Sequence, residues 1–569
     1  MDSKIEVIIE NIQQRRFVPQ GISLLELAKE YSEELKLQEG RYSPLPILGA
    51  LVNNITRPLQ YRVYNPKSIR FFTIKHRQGW RTYQNSLCFM LYKAVHDCYP
   101  GSSLHIDHSM TNGFFCRIDH PEWEQDGVRP TPLEVVKTVR GRMLELQQAD
   151  LPFESRTMLL TDAIELMRTQ HIPETVRLFE GLSQIYIDVQ FLDGLAHKMS
   201  SPLAPSTGCL QSWNFRTFAD GYLLECADPE HPEKLGLYQE MPKLFSIYQE
   251  HHRWASLLHV PTVSDLNRLV ADHGANHLIH VAEALHEKKY AEIADMIYQR
   301  RDTVKMVLLA GPSSSGKTTS CRRLSVQLSV LGFDVRQLSL DDYFVCRART
   351  PKLPNGEYDF ENIEALDIPL LNEHLTRLFQ GEEVAIPTFD FIKGDPYFSG
   401  KTLRLGPNSI LLVEGIHALN PRLTAQIADE VKFRVYVSAL TQIAIDDQNI
   451  IHCSDNRLIR RMVRDNNFRG WDAYNTLHRW EEVQRGEQLH IFPYQEQADV
   501  MFNSALLYEL GVLKVYAEPL LKKVPENCQE YAEAHRLLNF IELIAPIGSG
   551  TIPPNSIMRE FLGGSSFEY

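Results

Sequence analysis

The stretch Gly311-Pro312-Ser313-Ser314-Ser315-Gly316-Lys317-Thr318 constrains what this chain can fold into more than any other. It fits the spacing G-x-x-x-x-G-K-[ST], in which main-chain amides wrap phosphate groups, the lysine reaches the outer phosphates and the hydroxyl holds magnesium. At average composition that spacing arises by accident in roughly one chain of this length in a hundred. Its surroundings narrow the reading. Residues 304–310 form an apolar run suited to a buried parallel strand, and Leu324, Leu328 and Leu331 repeat at helical spacing behind the loop. Gly332 stops that helix and residues 334–340 open the next strand. Strand, phosphate loop and helix in this order predict an α/β domain, a mostly parallel sheet flanked by helices.

Two acidic positions fall where such a sheet presents them. Asp341 and Asp342 directly follow the strand 335–340, and in open α/β sheets ligands sit at the carboxyl ends of strands. Phosphoryl transfer to an alcohol is mainly positioning and charge neutralisation, with a carboxylate accepting the hydroxyl proton, so Asp341 is the expected base. A second apolar run, 409–413, ends at Glu414-Gly415, which makes Thr318, Asp341 and Glu414 the expected magnesium set. Behind Ser454 as the expected N-cap, Arg457, Arg461 and Arg464 recur at helical spacing with Arg460 beside them. Like charges on one helical face repel unless an anion meets them. That predicts a lid bringing positive charge to the transferring phosphoryl group, with Arg461 and Arg464 joining Lys317 and Asp341 in catalysis.

Taken in the order P-loop, Asp341, Glu414 and arginine-rich helix, residues 304–510 resemble the uridine kinase and phosphoribulokinase family. The resemblance implies a P-loop kinase that uses ATP and Mg2+ to phosphorylate the 5′-hydroxyl of a ribonucleoside. It assigns Gly311, Ser313, Ser314, Ser315, Gly316, Lys317, Thr318 and Thr319 to ATP, and Arg461, Arg464 and Arg469 to ribose or phosphates. Phe344 falls at an aromatic position beside the acceptor. Gly356-Glu357-Tyr358-Asp359-Phe360-Glu361 resembles the segment that holds ribose hydroxyls, with Glu361 where the family has an aspartate. Pro387-Thr388-Phe389-Asp390-Phe391 resembles the segment that stacks and reads the base, and Trp471 offers another flat face. Three departures leave base identity open: the family's pyrimidine-reading histidine aligns with Gly394, its supporting arginine with Trp471, and a nearby glutamine with Arg479. A sugar-phosphate acceptor, with Lys393 and Arg479 supplying extra charge, is the alternative within the same family.

The front of the chain reads differently. Residues 1–75 carry Ile5-Glu6-Val7-Ile8-Ile9, a helix-like stretch 24–37 after Gly21 and an Asn53-Asn54 turn. They read as a small α+β module and resemble the TGS domain at the start of threonyl-tRNA synthetases. Residues 76–228, with Asn112-Gly113-Phe114-Phe115 and Asp119 as the best local match, resemble the second additional domain of those synthetases. The side chains with which that domain edits mischarged tRNA align with Asn85, Phe89, Ser200 and Ala204, so no editing is expected. Residues 229–298 form an expected helical connector that packs the front half against the kinase, and 299–569 hold the kinase with its carboxy-terminal tail.

A formal net charge of −13 works against a broad nucleic-acid footprint. The TGS-like region nonetheless keeps a nucleotide-sensing, RNA- or ribosome-binding protein as an alternative of a different class. Nine cysteines, an odd number without a Cys-x-x-Cys pair, and an amino terminus without a signal-peptide core point to the cytoplasm. The longest apolar runs fall short of the ~20 residues needed to span a bilayer, so no membrane segment is expected. The expected partner is a small nucleoside, and self-association is left open.

Overall fold

A computed structural model describes residues 4–31, 45–124, 129–353, 356–390, 393–441 and 443–568. In the amino-terminal sheet the strands Gln14–Pro19, Lys4–Ile9, Lys67–Phe72, Gly49–Val52 and Ile55–Arg57 lie side by side in that order. Helix α1 (Leu24–Glu30) covers it, with Leu24 and Leu27 fully buried. Ser23 and Glu26 close its first turn as a reciprocal capping box. The helical stretch expected to run to residue 37 is seen to Glu30, and residues 32–37 lie outside the described ones. A second sheet follows the order Asn214–Phe218, Gly221–Glu225, Gly113–Asp119, Ser103–Met110. Alternation along its last strand turns Leu104, Ile106 and Met110 inward. The long helix α2 (Arg77–Cys98) buries Leu87, Phe89 and Leu91 in the same core cluster as Leu104 and Ile106.

After helix α3 (Ala275–Gln299), five parallel strands make the sheet that carries the phosphate loop. They are β1 (Met306–Ala310), β2 (Asp334–Ser339), β3 (Ser409–Glu414), β4 (Lys432–Ser438) and β5 (Val500–Asn503), in the order β2-β3-β1-β4-β5. Every residue of β1 is buried, as a central strand covered on both faces requires. The register sets Glu414 opposite both Leu309 and Ser339, so the ends of β1, β2 and β3 meet at one edge. Helix α4 (Lys317–Val330) follows the loop.

Helix α5 (Cys453–Phe468) differs from expectation in two respects. Its N-cap is His452, in extended conformation, and the first turn closes when Asp455 N–H donates to the His452 carbonyl. Ser454 therefore sits inside the turn and not at its cap. The helix is also enclosed: Leu458, Ile459, Met462 and Val463 are buried, and so are Arg457, Arg460 and Asp465. An enclosed helix belongs to the core and is not a lid. Arg457 is answered by Glu487 of helix α6 (Ala473–His490), and Arg460 by Glu509 of helix α7 (Glu509–Leu521).

One buried cluster runs through both halves, joining Phe89 of α2 to Leu458, Trp480 and Leu513, and to Leu537 of helix α8 (Tyr531–Glu542). Polar contacts follow the same seam. Ile106 N–H donates to the Asp447 carbonyl at 2.8 Å, and Gln448 Nε2 to the Leu104 carbonyl at 2.8 Å. Arg536 grips Asp455 through two bonds of 2.8 and 2.7 Å, and Glu533 pairs with both Arg81 and Arg536. Among the described residues no helix is long and apolar enough to cross a membrane.

Arg460 is wholly buried and Glu509 nearly so. Glu509→Ala would strand the guanidinium in the core and is expected to cost roughly 3–5 kcal/mol, read as a lower urea midpoint of the full chain. An unchanged midpoint would mean that this ion pair carries no stability.

Candidate functional site

The loop between β1 and α4 is held from outside at almost every residue. Gly311 leaves β1 pressed against β4, where a Cβ would lie 1.9 Å from the Val437 carbonyl oxygen. Ser314 and Gly316 have left-handed backbone, at φ 58° and 79°. Ser313 N–H donates to Glu487 Oε1 at 3.0 Å, Arg457 donates to the Ser313 carbonyl at 3.1 Å, and Arg461 donates to Ser313 Oγ at 2.7 Å. Arg460 reaches the Ser314 carbonyl at 3.4 Å, and Ser504 Oγ donates to the Ser315 carbonyl. The hydroxyls of Ser314 and Ser315 are buried without a hydrogen-bond partner among the described residues. Gly316, the N-cap of α4, has no side chain to bond the helix amides, so the amides of the first turn are left to an outside acceptor. Burial lowers the pKa of Lys317, opposed by Glu414 and Asp341, and its ammonium donates to the Pro312 carbonyl at 3.1 Å.

The acids gather at the same edge. Asp341 lies in the 3-10 turn Leu340–Tyr343, where its N–H donates to Ser339 Oγ at 3.3 Å. Its exposed carboxylate acts electrostatically on Lys317, Glu414, Glu361 and Arg469. Asp342, in contrast, is engaged by Lys401 at 3.6 Å. Glu414 accepts from Ser339 Oγ at 3.1 Å, and burial together with the Asp341 charge pushes its carboxyl up to about 7. Glu361 also rises to about 7 through burial, and its Oε2 has no hydrogen-bond partner among the described residues. Two carboxyls pushed toward neutrality under the influence of the Asp341 charge mark an edge short of positive charge, although among the described residues no group of three or more acidic, histidine or cysteine side chains is placed to hold a metal ion by itself.

Around Asp465, wholly buried, Arg461, Arg464 and Arg469 converge at 3.3, 3.2 and 3.5 Å. Burial and the neighbouring Arg464 lower Arg469 to about 10. Of the four arginines expected along α5, then, Arg461 and Arg464 gather with Arg469, whereas Arg457 and Arg460 serve the loop and the core. The aromatic residues form a chain: Phe344 lies 5.5 Å from Phe389 and 6.5 Å from Phe360, which is 5.9 Å from Tyr358. Trp471 lies under the Arg479 guanidinium at 4.7 Å. Phe391 lies outside the described residues.

Three residues at the site carry no sequence signal. Glu487 and Ser504 clamp the loop from α6 and from the end of β5. Glu560 comes from helix α9 (Met558–Leu562) and accepts from both Thr319 N–H, at 3.2 Å, and Thr319 Oγ1, at 2.6 Å. Ile557 packs over Gly316, and Arg460 lies over the Phe561 ring at 5.1 Å. The carboxy-terminal tail thus seals one side of the loop.

A phosphate loop on a parallel sheet, two acids at the neighbouring strand ends and a cluster of arginines define a P-loop phosphotransferase that acts on an alcohol. Residues 306–507 match the model of the Phosphoribulokinase / Uridine kinase family. The chain is 28% identical to the uridine kinase of Mycoplasma pneumoniae over 222 residues, 38% of this chain and 94% of that one. It is 28% identical to the uridine kinase of Deinococcus deserti over 194 residues, 34% of this chain and 84% of that one. A solved structure of a possible uridine kinase from Bacillus stearothermophilus shares 20% identity at a TM-score of 0.25, covering 37% of this chain and 98% of its own.

The raised carboxyls make a prediction about pH. Folding lifts Glu361 and Glu414 from 4.5 to about 7, so the folded chain keeps protons that the unfolded chain has lost. Their favourable contribution is complete below pH 4.5 and is lost as pH rises through about 7. In the ligand-free protein, urea stability measured from pH 4.5 to 8 should therefore decline less steeply in the Glu361→Gln, Glu414→Gln double variant than in the parent. Parallel curves would contradict the raised pKa values.

Proposed function

We propose that this chain is an ATP-dependent nucleoside kinase that transfers the γ-phosphate to the 5′-hydroxyl of a ribonucleoside. The observation that carries the proposal is the electrostatic proximity of Lys317 of the phosphate loop, the Asp341 carboxylate and the buried Glu361 carboxyl, whose Oε2 has no hydrogen-bond partner among the described residues. In this reading the amides from Ser314 to Thr319 and the Lys317 ammonium take the phosphates of ATP, while Ser313, whose N–H is given to Glu487, shapes the loop. Arg461 and Arg464 balance the charge that spreads over the transferring group. Asp341 accepts the hydroxyl proton as the acceptor oxygen closes on phosphorus. Glu361 bonds ribose hydroxyls, and the aromatic chain of Phe344, Phe389, Phe360 and Tyr358 supports the base, with Phe391, Arg469 and Trp471 completing the acceptor side. Thr318, Asp341 and Glu414 would hold the magnesium ion, which would supply neutralising charge to the phosphates.

Two observations favour a nucleoside over a sugar phosphate. Lys393 is paired with Asp390 at 3.6 Å and Arg479 lies on Trp471, so both cations expected for a second phosphate are engaged. Gly394, with which the family's base-reading histidine aligns, leaves room for another residue: a Cβ there would meet Arg347 Nε at 2.7 Å. Arg347 is thus the candidate reader of the base edge. The TGS-like and synthetase-like character of the front half and a cytoplasmic location remain part of this reading. The Asn85 Nδ2 to Ser200 Oγ hydrogen bond, 3.4 Å long, is consistent with the alignment of those two positions.

Asp341→Asn should lower turnover about 10²–10⁴-fold while ATP binding, followed by equilibrium dialysis, persists. Near-normal turnover would remove Asp341 as the base. The acceptor is settled by offering labelled ATP with each common ribonucleoside and with pentose phosphates. Label on a pentose phosphate alone would select the sugar-phosphate alternative. ATP tightening tRNA binding, with no acceptor phosphorylated, would replace both with the RNA-binding one.

Glu560 occupies the Thr319 donors that this reading gives to ATP, so tail and nucleotide compete. One charge-assisted hydrogen bond is worth roughly 1.5–3 kcal/mol, and Glu560→Ala should lower the KM for ATP about tenfold with kcat nearly unchanged. A raised KM would show that Glu560 supports the loop instead.

A further inference from the structure

A cavity of about 440 Å³ lies away from the phosphate loop, where the front half meets the first turn of α5. Its volume falls within the roughly 300–1,000 Å³ usual for small-molecule sites. Asn85 of α2, Ile187, Lys198 and Ser200 line it from the front half. Ile451, His452 and Asp455 line it from α5 and its approach, and Arg536 and Phe540 from α8. A smaller cavity of about 150 Å³ shares Lys198, Ser200, Arg536 and Asn539 with it.

The charges of the walls are unevenly satisfied. Asp455 is held by Arg536, Asp446 accepts from the N–H groups of Gln448 and Asn449 at 3.0 and 2.9 Å, and Asp188 accepts from Thr157 Oγ1 at 2.5 Å. Arg81 and Arg536 are spent on Glu533 and Asp455. Lys198 is the exception: among the described residues no carboxylate lies within ion-pair distance of its ammonium. Lys198 is half-buried at the cavity wall, and desolvation lowers its pKa, with Asp188 opposing. A poorly solvated, unpaired cation in a partly apolar cavity favours an anion that carries an apolar body.

We infer that this cavity binds a small organic anion, a phosphate- or carboxylate-bearing molecule no larger than a mononucleotide, whose charged group meets Lys198, and that occupancy adjusts the phosphate loop through α5. The connection is short. Asp455 lines the cavity, and Arg461, six residues on and about 9 Å along the helix, holds Ser313 Oγ. Between them Arg457 holds the Ser313 carbonyl. Because α5 is enclosed, an anion that redraws the Asp455–Arg536 pair shifts the helix, and the helix carries the loop.

The test is equilibrium dialysis of the full chain in two arms. One uses labelled uridine and adenosine 5′-monophosphates, the other the proteinogenic amino acids. Every probe is repeated in Lys317→Ala, which disables the phosphate loop and separates binding there from binding in the cavity. The expected result is one site per chain that survives Lys317→Ala, weakens at least about tenfold in Lys198→Met and is retained in Lys198→Arg. Asn85→Trp, which fills the cavity from α2, should abolish it independently. Urea midpoints confirm that each variant folds. Nucleotide binding would make phosphate the recognised group, and amino-acid binding the carboxylate. Occupancy should change the Kd for ATP about 5- to 150-fold. The readout is ATP affinity, so it stands whether or not the acceptor is a nucleoside. The inference is overturned if no probe binds outside the phosphate groove, if binding ignores both cavity variants, or if the Kd for ATP does not move.

Discussion

The phosphate loop depends on a buried carboxylate that its motif does not contain. Glu487 accepts the Ser313 N–H and takes a two-armed contact with Arg457, whose guanidinium also bonds the Ser313 carbonyl. Glu487 is wholly buried and Arg457 nearly so. Removing two charges from water costs several kcal/mol per ion and is offset only where geometry is good and remaining hydrogen-bonding capacity is filled. Both conditions are met here, because the loop's own peptide group fills what the ion pair leaves over. The left-handed backbone at Ser314 and Gly316 is thereby fixed in advance, which is what electrostatic preorganisation requires.

That clamp divides labour among arginines that look equivalent in sequence. Arg457 and Arg460 are neutralised internally by Glu487 and Glu509, whereas Arg461, Arg464 and Arg469 share the single carboxylate of Asp465. Three cations on one anion leave positive charge in surplus beside the loop. Burial pushes the Glu361 and Glu414 carboxyls up to about 7 and lowers the pKa of Lys317. Binding a polyanion with a divalent cation would answer both imbalances at once. The site is therefore unfinished in a defined sense, and its fold supplies the stability that its charges withhold.

What was legible in sequence followed from local spacing. Strand, loop and helix around Gly311–Thr318, the acids at the ends of β2 and β3, and the inward leucines of α4 all declare themselves within a few residues. The N-cap did not, because Ser454 is the better capping residue by propensity but His452 has the extended backbone that closes the turn. Periodicity put Arg457, Arg461 and Arg464 on one face and was silent about what lies opposite that face. Glu487 and Glu560 could not have been found this way: they stand 174 and 241 residues from the loop atoms they bind. The front half shows the same limit, since order and turns suggested its modules but not the seam that joins them to α5.

That seam ties the two halves energetically. Asp455 at the start of α5 is held by Arg536, with Arg81 of α2 at 3.6 Å, and Glu533 binds Arg77, Arg81 and Arg536 together. Burial opposes charge at both carboxyls, yet the surrounding guanidinium groups hold Asp455 below the usual carboxylate range and Glu533 well below it. Without α2, two buried carboxylates would share one arginine at the head of the helix that grips the phosphate loop. The cost would fall on α5 first, since its opening turn carries Asp455 and its next turns carry the clamp. The front half is for this reason part of the apparatus that shapes the phosphate site, although none of its atoms touches the loop among the contacts described.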